Sequence, residues 1–176
     1  MNHTRRGNIC CTALKTMALE SLIEESGYSG IIRDVRAHED STGAKERYYS
    51  PRDKHGDWDF RDRPPELWDQ FTRTFPPGTH VRIHPLLDWT EIDMWEYIKA
   101  ENIPFIDRYL DRGNGTRYRS LERAPCTAPV RSTAKTVDEI VQELRATSVA
   151  ERTGGAQGAG CGMEMLRKRG YLEWAT

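Results

Sequence analysis

Two adjacent thiols, Cys10 and Cys11, stand in the stretch "RRGNICCTALKT" just ahead of a helical pattern. Thiols in such a place pack as small apolar groups, act as a redox pair, or supply half of a metal site, and a helix N-terminus favours the reactive uses by lowering thiol pKa. Two further cysteines, Cys126 and Cys161, lie far down the chain. Cationic side chains form a second group: Arg36, Lys45, Arg47 and Arg52 follow the strand-like "GIIRDV" segment, where ligands of open α/β sheets collect. Guanidiniums stay charged and offer paired donors to tetrahedral oxyanions, so this group points to a phosphate- or sulfate-bearing ligand. The alternative is a solvated surface of mixed charge, since residues 33 to 63 carry eight basic and eight acidic side chains. His80, Arg82 and His84 alternate in "THVRIHPL" and share one strand face; histidines there either serve an anion or sit as satisfied surface or core residues.

The elements that must position these groups follow from periodicity. Leu14, Met17, Ala18 and Leu22 recur at helical spacing, with Gly27 placed as a left-handed C-cap. Ile31, Ile32 and Val35 predict a short buried strand, and residues 33 to 63 an extended functional loop. Pro64 and Pro65 open a short helix through Trp68 and Phe71. Val81 and Ile83 alternate with the polar trio as a half-buried strand should. Thr90 and Asp93 predict a capped helix with Ile92, Trp95 and Ile98 inward, ended by Pro104. Residues 108 to 131 hold six arginines against two acids. Thr136 and Glu139 form a capping box ahead of Val137, Ile140, Val141 and Leu144, and a last short helix spans Met163 to Arg169. Alternating strand and helix predicts an α/β fold, although only two strands are evident, so the sheet looks incomplete and its apolar edge should favour association.

Composition narrows the partners. The 176 residues suit one ordinary domain, and 26 basic against 27 acidic side chains give a net charge of −1, which supplies no whole-chain argument for nucleic acid or an anionic membrane. A mean hydropathy of −0.75 with 30% charged residues fits long surface loops or a surface meant for a partner chain. No apolar run approaches a membrane span and the start does not resemble a secretory signal, so the expected location is cytoplasmic, with cysteines reduced, ligating or inert.

Several stretches together are more specific than any one. "CCTALKT", "RAHED", "AKERYYSPRD", "RPPELW", "RIHPLLDWTEIDMWEYIKAENIP" and "YRSLERAPCT" resemble, in order, the phosphoadenylyl-sulfate (PAPS) reductase superfamily. Within it the likeness is closest to the sulfate adenylyltransferase subunit 2 branch, whose tail is similar to "VDEIVQELRATSVAER" and "GMEMLRKRGYL". The resemblance implies a partial Rossmann-like sheet of the adenine nucleotide alpha-hydrolase type with an arginine-rich, mostly helical C-terminal extension. It places the boundary so that 1–106 is the C-terminal part of the nucleotide-binding domain and 107–176 the extension.

The activity implied is adenylyl transfer from ATP to sulfate, with a GTPase large subunit as partner; an oligomer is compatible with it, and neither nucleic acid nor membrane is expected. Arg36 and Glu39 take the place of the family's Arg-Arg-x-Glu segment, with Lys45, Arg47, Arg52 and His84 as further substrate-binding residues, while Ala37 and Asp34 depart from the pattern. The family's Ser-Gly-Gly-Lys-Asp-Ser phosphate loop has no counterpart here, and "GGAQGAG" reads as a surface turn, so the sequence looks like a truncated member, with a non-catalytic fragment that needs a partner to supply that loop as one alternative. Members with an iron–sulfur cluster use adjacent cysteines and a later Cys-x-x-Cys, which makes Cys10, Cys11 and Cys126 remnant ligands. Arg123 stands where the fourth would fall, so ATP as substrate and no stable cluster are expected. Reductases of the superfamily use a Glu-Cys-Gly-x-His tail; Cys161 has Gly160 and Glu164 at the flanking positions, which leaves sulfonucleotide reduction as the alternative reading.

Overall fold

The computed structural model describes residues 17–39, 46–52, 66, 68, 70–72, 74–121 and 127–147. Helix α1, Met17–Ser26, closes where Gly27 adopts a left-handed φ of 65° and its N–H reaches the Ile23 carbonyl at 2.9 Å, the C-cap expected from the sequence. None of its residues is buried, and Met17 and Leu22 lie exposed.

Three strands form the main sheet: β1 (Gly30–Ile32), β2 (Tyr49–Arg52) and β3 (His80–Ile83). The order is β1-β3-β2, with β1 parallel and β2 antiparallel to the central β3. Two expectations change here. Among the described residues the segment around Ile31 and Ile32 is an outer strand rather than a buried one, and Ile32 is 74% exposed. The supposed loop of residues 33 to 63 contains β2, which the sequence hides because its buried residues are polar, Ser50 and Arg52, so no apolar alternation marks it. Pro51 is tolerated because β2 is also an outer strand. The described residues Glu66, Trp68 and Phe71 are not helical, against the expectation for that stretch.

Helix α2, Glu91–Ala100, starts on a complete capping box: Thr90 Oγ1 accepts from Asp93 N–H at 3.2 Å, and the Asp93 carboxylate accepts from Thr90 N–H at 2.7 Å. It ends before Pro104, by a Schellman closure in which Asn102 takes φ 49° and Ile103 N–H reaches the Ile98 carbonyl at 3.0 Å. Strands β4 (Thr116–Arg117) and β5 (Val130–Arg131) form a small antiparallel ladder, followed by α3, Val137–Ala146. Thr136 caps α3, but the Glu139 carboxylate takes the Lys135 N–H at 2.5 Å, so the expected box is shifted by one residue.

The principal apolar core lies between α2 and α3. Trp95, Ala134, Ile140, Val141 and Leu144 are buried together, with Ile92, Ile98 and Phe105 packed against them, and Trp95 meets Phe105 and Tyr109 edge-on at 5.3 and 5.5 Å. Lys99–Asp138 and Glu96–Arg145 ion pairs show that the two helices run antiparallel. Of the arginine-rich stretch, Arg117 is buried against Glu143 at 2.9 Å and Ser132 at 3.1 Å, and Arg119 forks onto Glu91. These arginines bind the small ladder to the helices and are not available to a ligand. The whole is a mixed α/β fold with an arginine-rich, helical C-terminal region, consistent with a partial Rossmann-like arrangement.

Candidate functional site

Parallel pairing brings the exits of β1 and β3 to one end of the sheet, and the antiparallel β2 begins at that same end, since Tyr49 pairs with Ile83. Residues 33–39, 46–48 and 84–89 therefore meet there. The backbone ties them: Ala37 N–H donates to the Leu87 carbonyl at 2.7 Å, and His84 N–H to the Tyr48 carbonyl at 2.9 Å. Glu66 accepts the N–H groups of Tyr48 and Tyr49 at 2.5 and 3.1 Å, while Phe71 packs edge-on against both tyrosine rings. These contacts fix where β2 starts.

Register then decides which side chains share a face. Ser50 is opposite Arg82 and Arg52 opposite His80, and residues directly paired across a ladder project to the same side. That side is polar and buried, with Ser50 inaccessible, His84 1% and Arg52 2% exposed. Glu46 is its hub: its carboxylate accepts from Arg52 Nη2 at 3.0 Å and from Ser50 Oγ at 2.7 Å. The Ser50 hydroxyl in turn accepts Arg47 N–H at 3.3 Å, and the Arg47 carbonyl lies 2.7 Å from His84 Nδ1. Because a carbonyl only accepts, Nδ1 carries the hydrogen.

Charge accumulates on this face. Burial, then the charges of Arg52 and Arg33, push Arg82 down from the usual arginine range to about 10, with Glu46 and Glu20 acting against them, so Arg82 remains a cation at neutral pH. Burial lowers His84 as well, against the Arg47 hydrogen bond and Glu46, with Arg52 and Arg33 adding to the depression. A buried, mostly cationic sheet face is costly to build without a partner anion.

Of the residues nominated from sequence, Arg47, Arg52 and His84 come together around Glu46, and Arg36 is buried on the adjoining loop with Glu39 half-buried three residues on. Lys45, Cys10, Cys11, Cys126 and Cys161, with Arg123, lie outside the described residues. Among the described residues, no group of three or more His, Cys, Asp or Glu side chains is placed to hold a metal ion. The donor set for a cluster is thus judged on chemistry alone: three thiolates and an arginine do not fit four-cysteine ligation. Sequence reasoning missed Glu46 and Ser50. It also missed a second, open cleft of about 220 Å³ bounded by Arg108, Arg112, Asn114, Thr116 and Tyr118. The loop beside that cleft is built on Asp111, whose carboxylate accepts from Gly113, Asn114 and Gly115 N–H at 2.9 to 3.1 Å; Gly113 and Gly115 both take positive φ.

Comparison with known proteins adds a line independent of this geometry. The model of the phosphoadenosine phosphosulfate reductase domain matches residues 1–129. The chain is 34% identical to a sulfate adenylyltransferase subunit 2 of Chromohalobacter salexigens over 190 residues, covering 90% of this chain and 62% of that protein. It is also 34% identical to the subunit 2 of Pseudoalteromonas translucida, covering 90% and 63%, and 32% identical to that of Halorhodospira halophila, covering 96% and 66%. The chain thus spans less than two thirds of the length of these curated relatives. Among the described residues, no helix is long and apolar enough to cross a membrane.

Proposed function

This chain belongs to the phosphoadenosine phosphosulfate reductase domain family, and from that premise we propose that it serves sulfate activation as a sulfate adenylyltransferase subunit 2-like protein. In this reading one sulfate oxygen attacks the α-phosphorus of ATP, the bond to the β-phosphate breaks, and pyrophosphate leaves with the bonding electrons. The nucleophile is already an anion, so no general base is needed, and the protein's task is to hold two anions together and offset their charge. Arg36, Lys45, Arg47 and Arg52 are assigned to that task. Glu46 holds Arg52 in place, and His84, through the Arg47 carbonyl, positions the loop that carries Arg47. Residues 1–106 supply the nucleotide-handling part and 107–176 an arginine-rich extension, with a GTPase large subunit as the partner and the cytoplasm as the location.

The observation that carries the proposal is the buried cationic face at the shared end of β1, β2 and β3, which lies within the span the family model matches. Pyrophosphate release from ATP that depends on sulfate, measured on the full chain alone and with a GTPase large subunit, tests it. Release of pyrophosphate together with adenylyl sulfate is expected, and release only on adding the partner would show that the reaction depends on it. Absence of release in both conditions, or thiol-dependent sulfite formation lost in Cys161→Ser, would replace this reading with another.

A further inference from the structure

Arg82 stands apart from the other cations of the buried face. Arg52 has a carboxylate partner, Glu46, which Ser50 also engages. Arg82 projects to the same face from the central strand, and its Nε is buried with no hydrogen-bond partner. It also sits in the field of two like charges, Arg52 and Arg33, while Glu46, the carboxylate that most offsets them, is committed to Arg52 and Glu20 contributes less. A buried donor on a cation is expensive to leave unmade, and folded proteins rarely keep one without a use. Ile31, the residue of β1 paired with Arg82, has an apolar side chain, so the neighbouring strand brings no competing acceptor side chain at that rung.

We infer that Arg82 is the residue that selects a doubly charged tetrahedral oxyanion on this face, its buried, unused Nε–H and its place beside Arg52 being matched by a small dianion of the sulfate class and poorly by a monoanion. The inference rests on the oxyanion-handling reading above and names the group within that site that discriminates. A dianion would answer Arg82 and Arg33 together without displacing the Glu46–Arg52 pair. A planar monoanion such as nitrate supplies half the charge and lacks the fourth oxygen.

The test uses the full chain as wild type, Arg82→Met and Arg82→Lys. Sodium sulfate and sodium nitrate are titrated at one ionic strength while the melting temperature is read, and sulfate-dependent pyrophosphate release is assayed on the same samples. The wild type should show a saturable rise with sulfate that nitrate does not reproduce. Arg82→Met should melt higher than wild type without anion and need about ten- to a hundredfold more sulfate for the same rise, because a charge-assisted hydrogen bond is lost while a buried charge is relieved. Arg82→Lys keeps the charge without the fork and should fall between. If Arg82→Met does not melt cooperatively, Arg82→Lys carries the comparison. The general stabilisation of folded proteins by sulfate is common to all three chains and cancels. A methionine variant with the wild-type sulfate response, or a nitrate response equal to that of sulfate, overturns the inference. Equal pyrophosphate release from wild type and Arg82→Met removes Arg82 but leaves adenylyl transfer standing. An Arg82-dependent sulfate response with no release from any chain, alone or with a GTPase large subunit, keeps the selective cation and removes adenylyl transfer.

Discussion

His84 sits with Nδ1 on the Arg47 carbonyl and its ring buried, so the neutral form with a bare Nε2 is the one the fold accepts. Its pKa in the folded chain lies below the usual 6.5, chiefly through burial. The sign of the pH effect follows: the unfolded chain binds a proton first, so the stability tied to neutral His84 is complete above about pH 6.5 and declines as pH falls below it. His84→Asn, which keeps a donor near Nδ1 but cannot titrate, should flatten the fall of the urea midpoint between about pH 6.5 and 5; an unchanged slope would show that other groups carry it. At this scale the sequence was informative for cations and silent for their partners. Arg47, Arg52 and His84 were legible from residue type and place, whereas Glu46 reads in sequence as one acid among eight in a mixed-charge run. Only strand pairing reveals that it is the carboxylate at the centre.

Elements with an apolar period were legible and those with a polar one were not. The cap and inward face of α2 and the apolar stripe of α3 followed from spacing, because burial of Trp95, Ile140, Val141 and Leu144 obeys the helical repeat. Strand β2 was hidden by the inverse pattern, with polar residues inward and Tyr49 and Pro51 on the other face. The cap of α3 departs from the reciprocal box, since Glu139 serves Lys135 and Thr136 alone satisfies the helix N-terminus through Glu139 N–H. Thr136→Ala should therefore remove about 1 kcal/mol from the unfolding free energy, read by urea denaturation. A Glu139→Gln change should leave most of the Thr136 contribution in place, because the two contacts are separate.

Among the described residues, apolar burial and buried charge occupy different places: the helix pair holds the main core, and the sheet holds the buried charge. The outer strand β1 leaves Ile32 exposed, and α1 exposes Met17 and Leu22. An open strand edge with an apolar side chain is a site for pairing between copies. Light scattering of the purified chain should show concentration-dependent association that Ile32→Lys reduces; a wild type that stays monodisperse at high concentration would count against this. The incomplete sheet anticipated from two visible strands is, in the described residues, a three-stranded one, and that third strand brings Ser50 and Arg52 onto the face of Arg82 and His84. The order of its strands has a further consequence. Both flanking strands precede the middle one in the chain, so on a ribosome β1 and β2 emerge before β3, the strand that both pair with among the described residues. Translation must reach His80 before a single rung to β3 can form, leaving until then a nascent chain with two strands unpaired to β3 that chaperones would be expected to shield.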